Sequence, residues 1–300
     1  MFRATYHGDL ICEATPLPLF YQWEAPPYLV DDTTAVPESP VYCPREEFVT
    51  IVHSQYCSGT TLGLLCDMRE LTDICIAHSA ALGTVFDLDI QSHDAWHAPS
   101  LATYDTKLAG IRARLVSLPS AHVPNLCTTH DWVYEACRIA AIIYTSALIM
   151  RVPLSVAAYP AGNVIMRDIA SLMGATDSEQ ASIPRLTETL YETIEKTNIG
   201  DLWGSMTGVF YWVTTVGAAA ARTPVNIDVY SRPSCVNEAY ATWVRRCLIM
   251  FATRAMILMV FEHPLPLILA EKKLLKVQEL LGSGSSRGPV SRGFSSTQYP

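Results

Sequence analysis

Lysine is scarce in this chain: only five of its 21 cationic residues are Lys, against 29 Asp and Glu, for a formal net charge of -8 over 300 residues. No run of five or more like charges occurs. Nucleic-acid binding draws on clustered Lys and Arg that displace counterions from phosphates, so direct DNA binding is not expected. Pairing signals for cysteine are missing too. The nine cysteines, at positions 12, 43, 57, 66, 75, 127, 137, 235 and 247, are odd in number and widely spaced, with no C-x-x-C pair and no Asn-x-Ser/Thr sequon in the chain. Free thiols in a reducing compartment fit this better than a disulfide scaffold. The N-terminus lacks the basic stretch and long apolar core of a signal peptide. No Walker loop, dinucleotide fingerprint or paired-carboxylate motif is present. Catalysis therefore has no visible foothold, and no catalytic, cofactor-binding or metal-binding residue is assigned.

What the chain does have is apolar mass. Half of it is hydrophobic and 17% is charged, enough for one sizeable core at a length near the upper limit for a single domain. The longest uncharged run, 202–221, is twenty residues and could span a membrane by length. Three Gly, four consecutive Ala and several Ser and Thr make it only moderately apolar. The neighbouring apolar helices carry Glu135 with Arg138, and Arg254, so a buried central helix is expected and no membrane association. Gly204-x-x-x-Gly208 suits close packing of helices in either setting.

Periodicity of three and four residues dominates, and period-2 alternation is absent, which predicts an all-α, single helical bundle-like domain of about seven helices. The predicted helices cover about 61–82, 101–117, a segment from Asp131 to before Pro153, 183–197, 201–221, 237–261 and 265–281. The third opens after Thr128-Thr-His-Asp131, a capping-box pattern. Residues 1–47 are expected to form an irregular acidic arm, because they hold eight acidic residues, seven Pro and the aromatics Phe20, Tyr21, Trp23, Tyr28 and Tyr42. That mixture resembles an activation segment, and packing on the core through its aromatics is the favoured alternative. Residues 48–282 form the helical domain, and 283–300 read as a disordered tail.

Each fragment of chemistry has a plainer reading. Gly284-Ser-Ser286-Arg-Gly288 matches G-x-S-x-G but lies in low-complexity sequence with no strand before it. His93 and His97, with Asp94 or Asp89, could meet a metal if helical, yet the segment is polar and close to Pro99. Cys127, His130 and Cys137 lack a second ligand pair, and Cys137 lies on an apolar helix as a small hydrophobe. Arg245, Arg246, Arg254, Lys272, Lys273 and Lys276 read as solvated helix faces, with Arg254 paired to a carboxylate such as Glu262. An enzyme built on His130, Asp131, Glu135 and Arg138 is a rival reading. The same four residues equally make a capped, salt-bridged helix start.

Three phrases carry a family resemblance: HDWVYEACRIAAIIYTSALIMRVPLS, IGDLWGSMTGVFYWVTTVGAAAAR and WVRRCLIMFATRAMILMVFEHPLPLILAEKKLLKVQELLG. Within them stand Glu135-Ala-Cys-Arg138, Leu202-Trp-Gly-x-Met-x-Gly208-Val and Leu274-Leu-Lys-Val-Gln278. Over residues 62–282 the chain resembles the C-terminal regulatory region of fungal-specific transcription factors. The resemblance implies an all-α domain that modulates transcription through protein partners, a homodimer or a small-molecule effector, in the nucleus or else the cytoplasm. It departs from the family's full pattern in lacking the six-cysteine zinc cluster. Cys12 and Cys43 are the only cysteines before residue 50, so DNA binding is not carried over.

Overall fold

The computed structural model describes residues 2–14, 34–81, 101–174, 184–223 and 238–282. They form ten α-helices and no strand; the one bridge, Ser39 to Tyr42, closes a tight turn. In chain order the helices are α1 (Phe2–Cys12), α2 (Gly59–Ala81), α3 (Leu101–Ser117), α4 (Trp132–Met150), α5 (Leu154–Ala157), α6 (Val164–Met173), α7 (Leu186–Ile194), α8 (Thr207–Ala220), α9 (Glu238–Glu262) and α10 (Pro264–Gly282). The seven expected from periodicity are all present. Three were not expected: α1, α5 and α6.

The centre is α8. Every residue from Thr207 to Ala220 is buried, and the helix is wrapped by α1, α4, α5, α7 and α9. A helix apolar all round needs such an enclosure. Aromatic side chains fill the space around it: Trp212 meets Tyr144 of α4 edge-on at 5.6 Å, and Trp203 meets Phe210 at 5.0 Å. Burying side chains of this size contributes about 1.5–3 kcal/mol each. The helix is shorter than 201–221 suggests. Leu202, Trp203 and Gly204 all have φ between 52° and 63°, so the chain turns in the left-handed region before helix can start. Asp201 steadies that turn by accepting from the Trp203 amide.

Local chemistry sets the other boundaries. Asp131 alone caps α4, accepting from the Tyr134 amide, so the expected capping box reduces to a single N-cap. Arg151 ends that helix in the left-handed conformation, and Pro153 blocks its continuation. Asn163 caps α6 through the Ile165 and Met166 amides, and Gly174 at φ 67° closes it. Pro184 precedes α7 rather than entering it, with Arg185 at the N-cap.

The arm departs from its expected form at the start. Its first Pro is Pro16, so nothing blocks a helix over Phe2–Cys12, and Tyr6, Leu10 and Ile11 of α1 join the core. Farther on, Val36, Val41 and Tyr42 are buried as well, so this part of the arm is packed on the domain. Phe20, Tyr21, Trp23 and Tyr28 lie outside the described residues, as does 283–300 with its G-x-S-x-G match.

Candidate functional site

The residues singled out as an enzyme-like cluster occupy the entrance to α4. Glu135 is buried and receives two guanidinium hydrogen bonds from Arg138, at 2.7 and 2.9 Å. It also accepts from the Ser120 hydroxyl at 2.9 Å and the Ala121 amide at 3.0 Å. Burial alone would raise its pKa, but Arg138 and these donors hold it below the ordinary carboxylate value. Tyr134 donates its hydroxyl to the Pro119 carbonyl. Together these bonds fasten the 118–131 loop to the helix start. His130 is exposed, and its ring stands beside Trp132. Glu135 has its oxygens fully engaged, so the cluster is a clamp.

Cys127 is exposed and Cys137 is buried, where desolvation pushes its thiol well above the ordinary range. Among the described residues no group of three or more His, Cys, Asp or Glu could hold a metal ion. His93, His97, Asp94 and Asp89 lie outside the described residues. Arg254 does not pair with Glu262; its guanidinium donates to the Gly200 carbonyl at 2.9 Å and is exposed. The described cysteines are free thiols.

Three polar constructions escaped the sequence reading. The first joins α1, α8, α9 and α10. His7 Nδ1 lies 3.1 Å from the Tyr211 hydroxyl and Nε2 lies 3.1 Å from the Thr253 hydroxyl, while Tyr211 donates to Glu271 at 2.9 Å. Burial lowers the His7 pKa to about 4, so its ring is neutral, and it raises Tyr211 well above its usual value with the help of Glu271. The second is Glu38, wholly buried in the arm. Its carboxylate accepts from the amides of Val49, Thr50 and Ile51 and from Arg45 at 3.0 Å. The third is Arg185, buried at the C-terminal end of α8. It donates to the Ala220 and Arg222 carbonyls and stacks over Tyr159 at 4.6 Å. A cation there complements the helix dipole. All three bind element to element.

An open cleft of about 610 Å³ lies between α3 and α6, lined by Leu108, Val116, Ile149 and Leu172 and crossed by the Arg112–Asp168 ion pair at 2.6 and 2.8 Å. A small-molecule effector between apolar helices could enter there. A recess of about 180 Å³ separates the arm at Val36 and Pro37 from Met259 and His263.

The outer face of α9 is apolar and open to solvent, although Trp243 also meets the Tyr191 ring of α7 edge-on at 4.9 Å. Trp243, Met250, Ile257, Leu258 and Phe261 are exposed, Phe261 to 83%. At 3.6 residues per turn they share one stripe with Arg246 and Arg254, within an arc of about 120°. Buried Val244, Leu248, Phe251, Ala255 and Met259 hold the opposite face to α8 and the rest of the core. Several exposed apolar side chains on one helix face form a patch of the kind that can take a partner.

As for a membrane, one described helix is long and apolar enough to cross one: α4, of which 83% of the apolar window is buried inside the protein. The 202–221 run, by contrast, yields the 14-residue helix α8. No protein-family model, curated protein or solved structure matches the chain.

Proposed function

We propose that this chain is a regulatory domain of the fungal transcription-factor type, acting through protein partners, without direct DNA binding and without catalysis. The observation that carries the reading is the outer face of α9: five exposed apolar side chains and two arginines on a helix whose other face is locked into the core. A rigid helix presenting such a stripe suits helix-on-helix recognition. Two further features support it. The ordered phrases Glu135-Ala-Cys-Arg138 and Leu202-Trp-Gly fall on α4 and on the turn before α8, elements that organise the all-α core. The buried carboxylates and the buried histidine serve as internal clamps, each bonded across elements or turns.

The test is a tethering assay. The full chain is fused to a heterologous DNA-binding domain and placed upstream of a reporter, and a fluorescent fusion reports its compartment. A regulatory domain changes reporter output several-fold and accumulates in the nucleus. Unchanged output from a well-expressed, folded fusion would reject the reading.

A further inference from the structure

The chemistry of the α9 face also selects a class of partner. Along the helix, Trp243, Met250 and Ile257 recur every seven residues and Phe261 follows four later, while Arg254 lies in the middle of the stripe and Arg246 along one edge. No carboxylate of α9 falls among them; Glu238 and Glu262 lie at the two ends and off the stripe. A seven-residue apolar repeat is what a second helix needs to pack along the face. A partner burying that stripe also removes water from Arg254, whose one bond among the described residues is to the Gly200 carbonyl, and a carboxylate opposite the guanidinium offsets that loss best. On the stripe itself a second copy of this chain presents arginines and no carboxylate, its nearest being Glu192 at the edge. A two-fold crossing at Met250 sets Arg246 against Arg254, and a crossing at Arg254 sets that guanidinium against its own copy. Glu192 of α7, bonded to the Tyr240 hydroxyl, borders the other edge of the face and directs an acidic partner toward the arginine side.

We propose that α9 docks an acidic amphipathic helix of another protein, with leucine-like residues at heptad spacing over Met250 and Ile257 and carboxylates over Arg246 and Arg254. This deepens the regulatory reading and rests on it, but its test stands apart from any reporter.

The probe is a labelled peptide of about three heptads, with Leu in the apolar positions and Glu in the flanking ones. Its matched control has Lys in place of every Glu. Binding to the purified full chain is followed by fluorescence anisotropy. The acidic peptide binds and the basic one does not. Arg246→Glu with Arg254→Glu weakens the acidic peptide by roughly ten-fold or more and lets the basic peptide bind. Met250→Glu weakens the acidic peptide by a similar factor. Both arginines and Met250 are exposed, and Arg246→Glu alone shows the same trend should loss of the Arg254–Gly200 bond disturb folding; circular dichroism and melting of each variant confirm the fold. Failure of the acidic peptide to bind, or equal binding of the basic one, overturns the proposal. So does a dimer in sedimentation that Met250→Glu dissolves, or tighter binding of a peptide copying residues 15–33 at the same face. Peptide failure with an active reporter sinks this inference alone, whereas a silent reporter with intact peptide binding sinks the regulatory reading.

Discussion

Adding one methyl group at Gly208 tests how the arm is held to the core. A Cβ there would lie 2.6 Å from the Glu38 carbonyl oxygen and closer still to that of Pro37. Both obstacles are backbone, so the arm must move. It cannot move freely, because the Glu38 carboxylate is fastened to Arg45 and to three consecutive amides. Overpacking at such a point costs about 1–3 kcal/mol. Displacing the buried carboxylate from its partners adds a share of the roughly 3–5 kcal/mol that breaking such a pair costs. Alanine returns about 1 kcal/mol in helix propensity. Gly208→Ala is therefore expected to lose about 2–4 kcal/mol net, a fall of roughly 5–15 °C in melting temperature for a chain of this size. Gly208→Leu should be worse and lower soluble yield. The control is Gly63→Ala in α2, where a Cβ meets nothing within 4 Å. It should gain about 0.4–1 kcal/mol. Thermal and urea melts of the two alanine variants side by side decide the matter. If Gly208→Ala melts at or above the parent, the arm is not packed as described.

Other perturbations probe the remaining clamps. Glu38→Gln deprives Arg45 of its anion and turns an amide toward three N–H donors, so a loss of about 3–5 kcal/mol in urea unfolding is expected; a loss below the error of the melt would show the clamp to be idle. Arg185→Met keeps apolar bulk but leaves the Ala220 and Arg222 carbonyls without their donor, costing about 1–3 kcal/mol, to be measured by the same melts. His7 has its pKa lowered from 6.5 to about 4 by burial, so the unfolded chain binds the proton more readily than the folded one. Its contribution is complete above about pH 6.5 and lost as pH falls toward 4, amounting to about 2 kcal/mol by pH 5. In His7→Gln the difference in stability between about pH 7.5 and about pH 5 should shrink by that amount, and an unchanged pH profile would contradict the burial of a neutral ring.

The sequence announces elements whose signals are local and escapes reading where the partner is distant. Helix α4 combines an Asp131 cap, an apolar stripe and Pro153, and its limits follow almost to the residue. Helix α6 had equally good punctuation in Asn163 and Gly174, but only ten residues lie between them and Pro153 and Pro160 nearby suggest a loop. Averaging proline over 1–47 hid α1, since the first eleven helical residues contain none. The start of α8 was misplaced because Leu202 and Trp203 adopt positive φ without being glycine, which no propensity reveals. Nothing nearby distinguishes the buried Glu38 from the exposed Glu46 and Glu47; its cradle is folded from amides eleven to thirteen residues later. Gly208 is a close-approach position, as its spacing from Gly204 suggests, yet what approaches is the arm and not a helix. The outer face of α9 was obscured for a related reason: period alone cannot tell an apolar stripe that packs inward from one left facing outward.

The regulatory proposal turns on the recruitment of protein partners to the outer face of α9. It is tested most directly by tethering three forms of the full chain to the same reporter: the parent, Met250→Glu with Ile257→Glu, and Gly63→Ala. The parent and Gly63→Ala should change output equally, while the double variant returns it to baseline and still melts like the parent. A double variant that melts and regulates like the parent would contradict it.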